Sequence, residues 1–208
     1  VWGPIGHHPL IPAQYLTLFS KKYWIKDRLT WMIKNAFWNL SPGLKKTAKK
    51  ADFIYAMNSS VKEKINLQEG RYFVRPSVAT QDYGYDMKMG VENFHVISAG
   101  RFVPLKGFDL TILSFAKFIK SLPKQVQNNA KLTIVGKGPE EAYLRSLIKK
   151  QGIIDKVEII NWIERKDLMN LMKESSLFLF PAHEGAGMVV ADASPLALPV
   201  ICLDNCVP

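Results

Sequence analysis

The chain has 208 residues, 48% apolar and 22% charged, a composition that fits a globular protein and excludes a disordered or low-complexity one. The richest apolar stretch, Met188 to Leu203, is interrupted by Asp192 and Pro195, so no membrane span is predicted, and the N-terminus lacks a signal-peptide pattern. The formal charge of +10 is uneven: Lys21 to Lys50 alone holds 9 basic side chains and 1 acidic, a patch suited to nucleic acid, anionic lipid or a phosphorylated substrate.

In chain order, VWGPIG reads as the end of a strand entering a Gly/Pro turn that carries His7 and His8. Tyr15 to Leu40 follows, rich in aromatics and lysines at helical spacing. Trp24, Trp31 and Trp38 recur every seven residues and predict a core-facing aromatic stripe widened by Ile25, Leu29, Met32, Ile33 and Phe37. The competing reading is a helix lying on an anionic membrane, with residues 21–50 as its basic surface. Asp52 to Met57 and Arg71 to Val74 are short strands, and Ser59 or Ser60 is the expected N-cap of a helix over Val61 to Leu67. Residues 77–93, polar and without apolar period, are the expected linker.

From residue 94 the pattern becomes regular. Strands are predicted at Phe94 to Ala99, Lys131 to Val135, Val157 to Ile160, Leu177 to Phe180 and Pro199 to Leu203. Between them fall helices at Phe108 to Ser121, Glu140 to Lys150, Lys166 to Glu174 and Met188 to Ala193. Alternation of this kind implies a doubly wound parallel sheet, whose ligands collect beyond the carboxyl ends of the strands. Residues 1–76 offer about three strands, too few for a closed α/β domain, and the chain is expected to be a fragment at both ends. Cys202 and Cys206 are the only cysteines and are read as structural thiols of a reduced intracellular protein.

Three loops therefore carry the chemistry. After the first strand of the regular part, Arg101 and Lys106 stand five residues apart ahead of a helix, a fork and a point charge suited to a diphosphate. Gly136 and Gly138 make a tight turn after the second strand. Glu184, Gly185, Ala186 and Gly187 follow the fourth strand, with Asp192 one turn into the next helix. Taken singly, each has a structural reading as a solvated charge or a plain turn.

Together, SAGRFVPLKGFDLTILSFAKF, LTIVGKGPEEAYLRSLI and SSLFLFPAHEGAGMVVADASPLALPVIC resemble the C-terminal nucleotide-sugar-binding domain of GT-B glycosyltransferases of the group 1 (family four) type. The resemblance covers residues 94–208, and ADFIYAMNSSVKEKI is similar to the end of the family's N-terminal domain. It implies an incomplete N-terminal α/β domain over 1–76 and a Rossmann-like domain over 94–208. It further implies that Arg101 and Lys106 hold the donor diphosphate, and that Glu184 is the first glutamate of the Glu-x7-Glu motif, near the transferred sugar. Asp192 stands where the second glutamate meets the ribose, one methylene shorter. Gly185 to Gly187 would meet sugar and distal phosphate, Trp162 and Ile163 the nucleobase, and Gly136 and Gly138 would line the same cleft.

The implied activity is metal-independent transfer of a sugar, with retention, from a nucleoside-diphosphate donor to a glycan or lipid-linked acceptor. No cofactor is expected, and the setting implied is the cytoplasm or the cytoplasmic face of a membrane. The rival readings are a non-catalytic sugar-nucleotide-binding module and a nucleic-acid binder using Lys21 to Lys50; the second lacks a recognition helix or an exposed-aromatic sheet motif, so no nucleic acid is expected.

Overall fold

The computed structural model describes residues 1–6, 10–13, 21–65, 69–75, 93–183 and 188–203, which fall into two compact units. The expected linker 77–93 lies almost wholly outside the described residues, as do His7 and His8.

The first unit has a three-stranded parallel sheet in the order β1-β2-β3, formed by β1 (Trp2–Ile5), β2 (Ile54–Ala56) and β3 (Tyr72–Val74). Among its described residues the α-helices are α1 (Lys21–Leu40) and α2 (Pro42–Lys50). Helix α2 is absent from the sequence expectations, although its start carries ordinary signals: Ser41 caps it by accepting from the Leu44 amide at 3.3 Å, and Pro42 occupies the first turn. Its four lysines conceal the short apolar face of Leu44 and Ala48, which packs with Trp38 on Ala56, Val61 and Ile65. The helix expected over Val61 to Leu67 is instead a 3₁₀ turn, Ser59–Glu63, entered from Asn58 rather than from a serine cap; residues 66–68 lie outside the described residues. Only Val61 of that turn is buried, too little apolar surface to hold several helical turns on a sheet.

Helix α1 corrects the expected stripe. Trp31 and Trp38 are half-buried, whereas Trp24, Ile25, Leu29, Met32, Ile33 and Phe37 are all exposed. The face that packs is a mixed one: Arg28 Nη2 donates to the Ile11 carbonyl at 2.8 Å, and Lys64 Nζ donates to Asn35 Oδ1 at 3.3 Å and sits 5.8 Å from the Trp31 ring centroid.

The second unit is a five-stranded, all-parallel sheet in the order β6-β5-β4-β7-β8. The strands are β4 (Phe94–Ala99), β5 (Ala130–Val135), β6 (Val157–Ile160), β7 (Leu177–Phe180) and β8 (Val200–Cys202). Helices α3 (Phe108–Ser121), α4 (Glu141–Gln151), α5 (Arg165–Glu174) and α6 (Met188–Ala193) join them, each within a residue or so of its expected span. Alternation along the strands sends side chains to two cores. Val96, Leu132 and Ile134 pack under α3 and α4, while Ile97, Ala99, Val135, Phe178 and Phe180 pack under α5 and α6. This is the doubly wound arrangement, and the strand order reverses between β4 and β7, the place where such sheets open a crevice at their carboxyl edge.

Candidate functional site

The loops after β4 and β5 are zipped together. The Gly100 amide donates to the Val135 carbonyl at 2.9 Å and the Gly136 amide to the Ile160 carbonyl at 2.8 Å, which prolongs both ladders past the strand ends. The Phe102 amide then donates to the Lys137 carbonyl at 3.0 Å, and the Glu140 amide returns to the Phe102 carbonyl at 3.2 Å. Phe102 itself is fully buried, edge-on to Phe108 with centroids 4.9 Å apart, and its burial contributes about 2 kcal/mol to keeping the loop in place. Arg101, its neighbour, is therefore turned outward, and it is exposed.

Both predicted glycines are required by this zipping. A Cβ on Gly136 would fall 1.8 Å from the Gly100 carbonyl oxygen, and one on Gly138 would fall 2.4 Å from that of Phe102. Gly136 also has φ of +151°, a region that disfavours side chains.

Lys106 ends a 3₁₀ turn, Pro104–Lys106, that leads into α3 through Gly107 in the left-handed conformation. Two contacts tie this turn to the residues after β7: the His183 amide donates to the Leu105 carbonyl at 2.8 Å, and Gly107 lies so close to the Pro181 carbonyl that a Cβ would meet it at 2.2 Å. The Lys106 ammonium sits 5.3 Å from the Phe180 ring centroid, a cation–π contact at the end of β7. His183 is buried, and burial pushes its imidazole pKa down, so the ring is held neutral near pH 7.

A cavity of about 670 Å³ opens at this edge, the size range of ordinary small-molecule sites. Arg101, Gly136, Gly138, Trp162 and Ile163 line it, so five of the predicted site residues share one wall system. Lys137, Leu168 and Val189 line it as well and were not among the predicted residues. Lys137 was legible as the middle of the Gly-x-Gly turn; Leu168 and Val189 read only as apolar helix positions. Trp162 is 66% exposed, a flat ring at the mouth rather than a core residue.

Lys106 and Asp192 are not among the lining residues. Asp192 is 5% exposed, near the end of α6, and pairs with Arg165 Nη2 at 2.5 Å. Glu184, Gly185, Ala186 and Gly187 lie outside the described residues. At the other end of the Gly-x-Gly loop, burial and the neighbouring Asp109 push Glu140 up to about 7, and burial also raises Asp109.

Comparison with known proteins points to one family. The family model described as glycosyl transferases group 1 matches residues 89–208. An uncharacterised glycosyltransferase of Haemophilus influenzae is 33% identical over 120 residues, covering 57% of this chain and 31% of that protein. The uncharacterised glycosyltransferase YqgM of Bacillus subtilis is 28% identical over 99 residues, covering 47% of this chain and 26% of that one. Among solved structures, WaaG, a glycosyltransferase involved in lipopolysaccharide biosynthesis, superposes with a TM-score of 0.64 at 19% identity, covering 97% of this chain and 56% of WaaG. Anabaena HepE in complex with UDP and glucose gives 0.62 at 18% identity, covering 83% of this chain and 49% of HepE. The chain thus spans about a third or less of the curated relatives and about half of these solved structures, which share its GT-B type fold. By the match over its second unit, the chain belongs to the group 1 glycosyl transferases.

Proposed function

We propose that the second unit binds the nucleoside-diphosphate sugar of a glycosyltransferase that moves the sugar, with retention, to a hydroxyl of a glycan or lipid-linked acceptor at the cytoplasmic face of a membrane. The observation that carries this reading is the cavity at the carboxyl edge of β4, β5 and β6, where Arg101, the Gly136–Gly138 loop and the Trp162–Ile163 segment meet. Its chemistry suits a nucleotide: a guanidinium for phosphate, glycines where backbone approaches the ligand, and a flat ring beside apolar side chains for a base.

In this reading Arg101 and Lys106 hold the diphosphate. As the bond from the sugar to the diphosphate breaks, negative charge grows on the leaving oxygens, and fixed cations stabilise it without reorganisation. In this reading Arg101 and Lys106 supply that charge, and the transfer needs no metal. Trp162 and Ile163 take the base, and Gly136 and Gly138 line the cleft. Asp192 serves the ribose from beside Arg165, Glu184 acts at the sugar, and Gly185, Ala186 and Gly187 present their backbone to sugar and phosphate. The UDP and glucose bound by HepE make UDP the first nucleotide to try.

The test is slow hydrolysis or transfer of a nucleoside-diphosphate sugar, followed beside nucleotide affinity. Glu184→Gln is expected to spare affinity and to depress turnover by roughly a hundredfold or more. Normal turnover in that variant removes Glu184 from the active site, and nucleotide binding with no turnover under any acceptor favours the non-catalytic binding module instead.

A further inference from the structure

The cavity of the second unit is poor in polar side chains. Among the described residues that line it, only Arg101, Lys137 and Trp162 carry a polar side-chain atom, and none is acidic. Arg101 is assigned to phosphate, and the indole N–H of Trp162 lies in the plane of its ring, so a ring stacked on that face is out of its reach. Lys137 is the lining side chain left to meet the edge of such a ring.

The loop that carries it has little else to offer a ligand. The Gly136 amide donates to the Ile160 carbonyl at 2.8 Å, the Lys137 carbonyl accepts from the Phe102 amide at 3.0 Å, and the Gly138 carbonyl accepts from the Glu141 amide at 3.2 Å. The glycines on either side have no room for a Cβ, which leaves Lys137 as the loop's single side chain. It is exposed, and it takes part in none of the ion pairs among the described residues.

The strand order fixes what stands beside it. Arg101, Lys137 and Trp162 follow β4, β5 and β6, which are neighbours in the sheet at about 4.8 Å per step. Lys137 therefore lies between the cation and the flat ring, one strand from each. Asn161, the other polar side chain at the end of β6, does not line the cavity, and its Oδ1 accepts from Arg145 Nη2 at 3.4 Å.

We propose, resting on the sugar-nucleotide reading above, that Lys137 sets the nucleobase preference by donating to a keto oxygen, O4 of uracil or O6 of guanine. An ammonium has three donors and no acceptor, so it complements a carbonyl edge. Cytosine and adenine carry an amino group at the same place. Turned toward Lys137, that group sets donor against donor and leaves both without a partner inside the cavity. A donor nucleotide with a keto base is thus the substrate class that the cavity favours.

Calorimetric titration of the 208-residue chain and of Lys137→Met with UDP, CDP, GDP and ADP tests this. The native chain is expected to bind UDP about tenfold more tightly than CDP, or GDP about tenfold more tightly than ADP, according to which ring size fits. Lys137→Met keeps an unbranched stem and removes the ammonium. It should weaken the keto nucleotide about tenfold and bring the ratio close to one, at an unchanged melting temperature because the side chain is exposed. Lys137→Arg, still a pure donor, should keep the preference. An equal loss for all four nucleotides places Lys137 on phosphate or ribose and overturns the proposal while the sugar-nucleotide reading stands. Affinities untouched by Lys137→Met, or a native chain that favours neither UDP over CDP nor GDP over ADP, overturn it in the same way. A native chain that binds none of the four contradicts the sugar-nucleotide reading itself, and the proposal falls with it.

Discussion

Arg165 Nη2 lies 2.5 Å from Asp192 Oδ1, joining the first turn of α5 to α6 across 27 residues of sequence. Along the chain, Arg165 follows the lining residues Trp162 and Ile163 and precedes Leu168 by one turn of α5, and Asp192 follows Val189 by one turn of α6. The pair therefore straps α5 to α6, the helices that carry the lining residues Leu168 and Val189. Asp192 is almost wholly buried while Arg165 is half exposed, so the carboxylate has most to lose when the pair is broken. Arg165→Ala is expected to cost about 1 to 2 kcal/mol of stability, less than a fully buried pair because water screens the arginine. Nucleotide affinity should drop about tenfold and recover in part in Arg165→Lys. Chemical denaturation and calorimetric titration check both; stability and affinity that ignore the arginine would leave the strap without a role.

Gly136→Ala and Gly138→Ala should each destabilise the fold by about 2 kcal/mol or more, because the new methyl group meets backbone oxygens that cannot turn aside. The Gly152→Ala change is the comparison. Gly152 has φ of +71° but open space around it, so only the backbone penalty of about 1 kcal/mol is expected. Equal denaturation midpoints for all three variants would contradict the zipped-loop account.

Glu140 carries a pH signature. Its carboxyl is raised from 4.5 to about 7, first by burial and then by Asp109, so the folded chain keeps a proton that the unfolded chain has released. The folded state is thereby favoured at acid pH, and that advantage is lost as pH rises from about 4.5 through about 7. Melting temperature should fall by a few degrees between about pH 5.5 and about pH 8. Glu140→Gln should flatten much of that fall, raising stability at the higher pH and leaving the lower pH nearly unchanged. Asp109, raised in the same sense, accounts for any residual slope at the acid end. An identical pH profile in the variant would show that Glu140 titrates normally.

The second unit was legible because its strands are short apolar runs separated by amphipathic helices, and α3 and α6 fall on the residues that their periodicity marks. Gly136 and Gly138 were visible as a turn, but the reason for them, the carbonyls of Gly100 and Phe102, belongs to a different loop. Arg165 left no local sign, since a salt bridge between residues 27 apart has no periodicity. The first unit was harder to read. Helix α2 hid behind its lysines, and on α1 the heptad of tryptophans was joined into one core-facing stripe with Ile25, Leu29, Met32, Ile33 and Phe37, all of which remain exposed. A helix with aromatics and aliphatics all round does not state which side packs; Arg28, Trp31 and Asn35 decide it through partners elsewhere in the chain.

The central claim is that Arg101 and Lys106 hold the diphosphate of a nucleotide at the carboxyl edge of the second sheet. Thermal shift and calorimetry of the chain with a panel of nucleoside diphosphates, UDP first, measure it directly. A cognate nucleotide at a hundredfold over its Kd should add about 2.7 kcal/mol of stability, and Lys106→Ala should abolish that gain in a protein that still melts cooperatively. No stabilisation of the native chain by any nucleoside diphosphate, or an affinity unchanged by Lys106→Ala, would contradict the account.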